Sequence, residues 1–378
     1  MLLGVLLFVG LGFSQQAPPL RWEQLPTDGS DSLQFLSAGP KGEFQVFRVE
    51  PAQVLRMNRD GDGRLLPAVS FRENLVPRDV VRAVANGRGD VWFLLLRSKE
   101  LLLLEANGRT KSLASPDWSV SAIGWMGGSP VVATMPFPRT DNAATSRVRP
   151  AKEDLPLILR YDGSKWETLL SEAYEVGDPP LSGLGQEMTR RQVLLAEASQ
   201  GRLWVVNRNA YRIRLLSPGG RVLLDVDLGS EGLRPPKKPE ELEAVRAKFM
   251  KEGPGARLGK EANVLVVDLS PVITGATEGP DGRLYLLTAP GVFGPERALD
   301  RFDPSSMELQ RLRTLLGDEP ATAFSIVATT NGLYAGGIRE TLGGRWRLSW
   351  EVLEGAPWQR VKCFDPSGEA EDPKKLCH

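Results

Sequence analysis

The sequence predicts an all-β chain of six units, each of four antiparallel strands, with one helical insertion. Two recurring turn phrases carry that prediction. The first is a polar turn ending in Gly, followed by an alternating run with a large apolar residue near its start. It reads Gly42-Glu43-Phe44-Gln45-Val46-Phe47, Gly89-Asp90-Val91-Trp92-Phe93-Leu94, Gly201-Arg202-Leu203-Trp204-Val205-Val206 and Gly282-Arg283-Leu284-Tyr285-Leu286-Leu287. Shorter copies stand at Gly128-Ser129-Pro130-Val131-Val132 and Asn331-Gly332-Leu333-Tyr334. A short apolar run precedes each copy, as at Val81 to Val84, Val193 to Ala196 and Phe324 to Ala328, so the Gly turn joins two strands as a hairpin.

The second phrase follows the first in every unit: Asn58-Arg59-Asp60-Gly61-Asp62-Gly63, Glu105-Ala106-Asn107-Gly108, Tyr161-Asp162-Gly163, Ser217-Pro218-Gly219-Gly220, Phe302-Asp303-Pro304-Ser305 and Glu354-Gly355-Ala356-Pro357. Each unit therefore reads strand, turn, strand, connection, strand, turn, strand. Repeated six times, this is the pattern of a β-propeller blade. A seven-bladed count or two stacked sandwiches is the competing architecture. Over residues 20 to 362 the phrases together resemble the six-bladed propellers of the NHL-repeat and gluconolactonase-like type, at the level of fold.

Taken from the N-terminus, the chain opens with an apolar run, Leu2 to Phe13, followed by Ser14-Gln15-Gln16-Ala17-Pro18-Pro19. The run is too short to span a bilayer, and Gly12 and Ser14 suit a signal-peptidase site, so residues 1–14 read as a secretory signal. The expected location is secreted or periplasmic, with no stable membrane insertion. Insertions then fall at about 137–154, 289–297 and 336–344, between second and third strands, and at 171–190 and 229–262, between units. In a propeller both kinds of connection emerge on one face and the hairpin turns on the other. The long-loop face is the expected functional surface, with capping of the channel as the alternative role. The largest insertion predicts a helix from Pro239 to Glu252, with Pro at its first position, Glu240, Glu241 and Glu243 in its first turn, and Gly253 as its stop. Its stripe of Leu242, Val245 and Phe249 fits a clasp on the propeller, or else a lid or docking helix. Residues 363–378 read as a tail.

Chemistry is limited by the inventory. The 378 residues carry 47 basic and 47 acidic side chains, so no basic surplus exists to neutralise nucleic-acid phosphates. The single histidine, His378, leaves no internal imidazole for a triad or a zinc site. No G-x-S-x-G elbow occurs, the Asp60-Gly61-Asp62 phrase lacks the Glu that closes a calcium loop, and Gly253 to Glu261 departs from phosphate-loop spacing. Trp92 and Trp204 lie in the second-strand phrase and are expected in the core.

Likeness to gluconolactonase-like propellers implies a divalent metal, calcium, that polarises a lactone carbonyl. The residues that could hold it are Asp79, Glu187, Asn207, Asn209 and Asp268. However, the Asp-rich phrases of that family are missing, since Phe93-Leu94-Leu95-Leu96 and Leu286-Leu287-Thr288-Ala289 carry no carboxylate. The expected function is therefore a secreted, non-catalytic, monomeric binding propeller without cofactor, with a calcium-dependent lactonase as the alternative. Its partner is a protein, peptide or glycan, not nucleic acid. The binding candidates are Arg82, Arg191, Asn207 and Asn209, joined by Arg190 and Arg208 as basic residues at the channel mouth. Cys363 and Cys377 are expected to form a disulfide, an even pair in an oxidising compartment.

Overall fold

The computed structural model describes residues 20–24, 33–38, 44–48, 53–57, 63–65, 80–86, 88–95, 100–138, 153–174, 191–229, 247, 272–289, 297–314, 321–330, 332–339, 345–352 and 357–364. Regular structure within them is almost all strand. The chain begins with β1 (Leu20–Gln24), whose place in the ring is decided by the far end of the sequence. Sheet one then holds β2 (Leu33–Ala38), β3 (Phe44–Arg48), β4 (Gln53–Met57) and β5 (Gly63–Leu65). Sheet two holds β6 (Val80–Ala85), β7 (Val91–Leu95), β8 (Glu100–Leu104) and β9 (Thr110–Ala114). Sheet three holds β10 (Trp118–Met126), β11 (Ser129–Pro138), β12 (Glu153–Tyr161) and β13 (Trp166–Tyr174), and sheet four β14 (Val193–Ala198), β15 (Arg202–Asn207), β16 (Arg212–Leu216) and β17 (Val222–Asp227). Sheet five begins with β18 (Ile273–Glu278), β19 (Leu284–Thr288), β20 (Arg297–Asp303) and β21 (Glu308–Thr314). Sheet six holds β22 (Ala321–Thr329), β23 (Gly332–Arg339) and β24 (Arg345–Val352). All pairings are antiparallel.

First strands of neighbouring sheets touch in sequence, β2 to β6, β6 to β10, β10 to β14, β14 to β18, β18 to β22, and β22 back to β2. The sheets thus close a ring around a common axis. Closure is completed by β1, which pairs with β24 in a register that sets Arg21 opposite Trp350 and Trp22 opposite Ser349.

This overturns one sequence expectation. The Glu354 to Pro357 phrase was expected to turn the chain back into the fourth strand of unit six, but that place belongs to β1. The chain instead continues into β25 (Gln359–Cys363), which pairs with β21 as a fifth strand of sheet five. Three contacts fix it there: Phe364 is buried with its ring 6.1 Å from Phe302, the Arg301 guanidinium lies 4.2 Å over the Trp358 ring, and Arg360 pairs with Glu308 at 3.0 Å. The expected tail boundary at 363 also falls too early, since Cys363 is in the strand and Phe364 is in the core.

The core lies between consecutive sheets, and the period of two along each strand builds it. On β15, Trp204 and Val206 join Ile273, Leu284, Leu286 and Phe302 toward sheet five. The intervening Leu203 and Val205 join Ala122, Val131, Leu157 and Val193 toward sheet three. Trp92 packs between sheets two and three, 6.3 Å from Trp125. Both expected core tryptophans are fully buried.

The predicted turns join the expected strands in all six units for the first phrase and in five for the second. At Gly220 the need for glycine is twofold: φ is +84°, and a Cβ would come within 2.5 Å of the Leu169 carbonyl oxygen in the neighbouring sheet. Asp162 shows what an acidic turn residue does. Its Oδ1 accepts from Lys165 N at 2.8 Å, Ser164 N at 2.7 Å and Ser164 Oγ at 2.8 Å. Those bonds, Lys165 N first, hold the carboxyl at about 2, below its ordinary 3.8. A folded value lower than the unfolded one means the turn's contribution is complete above about pH 4 and is lost as pH falls through about 2. A carboxyl-carbon NMR titration should find that low midpoint, and a midpoint at the ordinary value would contradict the turn geometry.

Antiparallel alternation puts every hairpin turn on one face and every second-to-third and sheet-to-sheet connection on the other. The connections expected to be long fall on that second face, at 139–152, 175–192, 228–272, 289–296 and 340–344. Of the helix expected over 239–252, only Ala247, helical and exposed, is among the described residues; the rest lies outside them. Residues 1–19, including the expected signal, also lie outside the described residues. Among those described, no helix is long and apolar enough to cross a membrane.

Candidate functional site

The best-defined part of the long-loop face is the turn from β15 to β16, residues 207–211. Asn207 ends β15 and folds the turn over itself: its Oδ1 accepts from Asn209 N at 3.0 Å and Ala210 N at 2.6 Å, an Asx-type arrangement. Arg208 N then donates to the Gln192 carbonyl just before β14, at 2.9 Å, and the Arg208 carbonyl accepts from Val272 N at 2.7 Å and Ile273 N at 3.0 Å at the start of β18. One short turn therefore ties the starts of two neighbouring first strands together. Asn209 is fully buried beneath it, with Nδ2 bonded to Gln192 Oε1 at 3.0 Å.

The sequence candidates divide by role. Asn207 and Asn209 are committed to shaping this turn, and Arg191 is fully buried, donating to the Pro156 carbonyl at 3.0 Å and the Glu172 carbonyl at 3.2 Å. Arg191 thereby ties the start of β14 to sheet three. Arg82 on β6 and Arg208 beside β15 are half-buried. Burial first, and then the Arg82 charge, pulls the Arg208 guanidinium down to about 10; burial lowers Arg82 as well. The Arg82 charge thus bears on Arg208, and neither arginine shares the bracing role of Arg191.

Asp79, Glu187, Asp268, Arg190 and Cys377 lie outside the described residues. Among the described residues no three His, Cys, Asp or Glu side chains gather as a metal site. Of the two described members of the calcium donor set, Asn207 spends its Oδ1 on two backbone N–H groups of the turn, and Asn209, fully buried, bonds Gln192 through its Nδ2. With the Asn207 oxygen committed and no cluster of three carboxylates among the described residues, no metal site is assembled there, and no chemical step is derived through a metal.

A cavity of about 520 Å³ opens at the same face between sheets three and four, lined by Glu172, Asn207, Arg212, Arg214 and Asp227 among others. Its charges answer one another. Arg212 grips Asp225 with two bonds of 2.6 Å, and Arg214 reaches Asp225 at 3.2 Å and pairs with Glu172. The Asp225 hydrogen bond raises the Arg212 guanidinium above its ordinary value. The cavity wall is thus braced by ion pairs, in contrast to the Arg82 and Arg208 pair.

Two carboxylates escaped the sequence reading. Asp300 is fully buried on β20, where it accepts from Arg311 Nε at 2.7 Å, from the other end of the same guanidinium at 2.8 Å, and from the Tyr211 hydroxyl. Tyr211 follows directly on the 207–210 turn, so this cluster anchors the turn to sheet five. Glu278 on β18 accepts from Trp204 Nε1 at 2.5 Å and Ser199 N at 2.6 Å, tying sheet four to sheet five at the opposite end. An acidic residue inside the apolar run Ala298-Leu299-Asp300 was the available signal for the first.

No protein-family model and no curated protein matches the sequence. Among solved structures, a Bacteroides fragilis protein described as exported shares the fold at a TM-score of 0.50 and 8% identity, over 88% of this chain and 94% of its own. Virginiamycin B lyase from Staphylococcus aureus, solved as an inactive variant with quinupristin, is similar at a TM-score of 0.43 and 13% identity, over 89% and 90%. Aldose sugar dehydrogenase from Streptomyces coelicolor, bound to PQQ, is similar at 0.42 and 14%, over 89% and 99%. The likeness is one of propeller-like fold alone.

Proposed function

We propose that this chain is an exported, non-catalytic propeller that acts as a monomer and recognises a protein, peptide or glycan through its long-loop face. Each of the six sheets serves as one blade. The observation that supports this is the concentration, at that face, of the long connections together with the rigid 207–211 turn, while the opposite face holds short hairpin turns. Loops on a braced scaffold are where recognition resides in folds of this kind. The inventory supports recognition over bond-making, since the only imidazole is that of His378.

Glycan and peptide arrays probed with the labelled mature chain test this reading. Ligands captured by the intact protein are expected to be lost when residues 232–258 are replaced by a short linker, with the circular dichroism of a strand-rich fold unchanged. They are expected to persist when Lys165, on the hairpin-turn face, is replaced by Ser. Unfolding of the linker variant would make the segment structural, and calcium-dependent hydrolysis of a lactone by the purified protein would overturn the non-catalytic reading.

Export predicts a bridge between Cys363 and Cys377. Among the described residues no cysteine is free, and Cys363 closes the fifth strand of sheet five. Closing a loop of about 15 residues contributes about 3 kcal/mol in the chain-entropy treatment. Thiol titration of denatured, unreduced protein should find no free sulfhydryl; two reactive thiols per chain would remove this support for an oxidising compartment.

A further inference from the structure

A guanidinium keeps its charge at any working pH, so enclosing one in protein is unfavourable unless an anion stands beside it. Three arginines braced into the sheets follow this rule, while the fully buried Arg191 is held instead by the Pro156 and Glu172 carbonyls. Arg311 is gripped by Asp300, Arg214 by Glu172 and Asp225, and Arg212 by Asp225. Arg82 and Arg208 depart from it. Among the described residues neither has an acidic partner, Arg82 makes no side-chain hydrogen bond, and Arg208 gives one N–H, to the Ile273 carbonyl at 3.3 Å.

Their surroundings make the departure informative. Both side chains are only half-buried, so water and solutes reach them, yet protein encloses each closely enough that burial disfavours its charge. A channel wall has this combination; an open surface or a sealed core does not. Arg82 comes from β6 in sheet two and Arg208 follows β15 in sheet four, with β10 touching β6 on one side and β14 and β15 on the other, and the Arg82 charge bears on Arg208. On β10 itself, Ser121 Oγ is buried with no hydrogen-bond partner among the described residues.

We propose that Arg82 and Arg208 together form a binding site for an oxyanion group, the carboxylate or phosphate of a ligand, at the long-loop mouth of the ring. An oxyanion between them would supply the missing negative charge, separate the two like charges and accept from the fork of N–H donors that each guanidinium leaves unspent. Recognition of this kind needs no metal and no bond-making step. The proposal rests on the long-loop face being the binding surface and names the chemistry that this part of it selects.

Calorimetric titration of the mature chain with inorganic phosphate and, separately, with succinate tests it, at ionic strength matched with chloride. Binding of one anion per chain is expected for at least one of them, and the tighter of the two assigns phosphate or carboxylate. Arg82→Gln and Arg208→Gln are each expected to weaken that binding at least tenfold, while Arg202→Gln, on the hairpin-turn face, leaves it unchanged. A second readout guards against misfolding: in chloride alone both variants should keep or raise the Tm, because each removes one of two unneutralised like charges. No heat with either anion, equal binding by the variants, or a marked fall in Tm in chloride overturns the proposal. A protein that takes neither anion yet still captures array ligands through residues 232–258 would refute the arginine site and leave the face reading standing.

Discussion

Replacing Asp300 with alanine is expected to destabilise the fold by about 3–5 kcal/mol, the cost of removing one partner from a buried ion pair. Asp300 is fully buried, and Arg311 is nearly so. Once the carboxylate is gone, the Arg311 guanidinium stays enclosed with its two bonds of 2.7 and 2.8 Å unmade. Tyr211 loses its acceptor at the same time. Burial first, and then the Asp300 charge, holds the Tyr211 phenol well above its ordinary value, so it remains a neutral donor that needs a partner. Urea denaturation of Asp300→Ala should show the loss directly. Replacing Tyr211, Asp300 and Arg311 together by Phe, Leu and Met should recover much of it, because a fully apolar cluster leaves no group unsatisfied. A loss under about 1 kcal/mol for the single variant would mean that water or another group reaches Arg311.

Trp204→Ala is expected to cost about 3–5 kcal/mol, as truncation of a fully buried aromatic does. Trp204 fills the wedge between sheets four and five, edge-on to Phe302 at 6.3 Å, and its indole N–H bonds Glu278 at 2.5 Å. Truncation leaves both a cavity and a carboxylate with one donor fewer; Ser199 N remains to it at 2.6 Å. Trp204→Phe keeps most of the volume and loses the N–H, so it should fall between the wild type and Trp204→Ala in the same denaturation series. Equal losses for the two variants would assign the whole effect to the hydrogen bond.

Strands and turns of this fold were legible because their signals are local. A Gly at each first turn, followed by an alternating run such as Leu203-Trp204-Val205-Val206, fixes a hairpin within a dozen residues, and the period of two then tells Trp204 from Val205 by face. Ring closure was not legible. Leu20 to Gln24 is an ordinary short strand, and only the exposed edge of β24, over 320 residues away, decides its partner. The Glu354 to Pro357 phrase has genuine turn chemistry, so local reading assigned the following strand to sheet six. Long-range packing of Phe364 on Phe302 and of Trp358 under Arg301 took it to sheet five.

The candidate site was legible in type and in face, but its internal division of labour was not. Arg82, Arg191, Asn207 and Asn209 all sit near the starts of first strands or in the 207–211 turn, as the unit pattern requires. Which of them brace the scaffold depends on partners far apart in sequence, such as Pro156 and Glu172 for Arg191 and Gln192 for Asn209. Arg208 differs from Arg191 only through what surrounds it, and a sequence holds no record of which carbonyls a guanidinium will meet.

The central claim, that Arg82 and Arg208 jointly hold an oxyanion at the long-loop mouth, is tested most directly by a crystal structure of the protein grown with selenate and phased to reveal anomalous scatterers. The account predicts an anomalous peak between the two guanidinium groups, within hydrogen-bond distance of both. A map with no peak there, and with either arginine paired instead to a carboxylate of the chain, would contradict it.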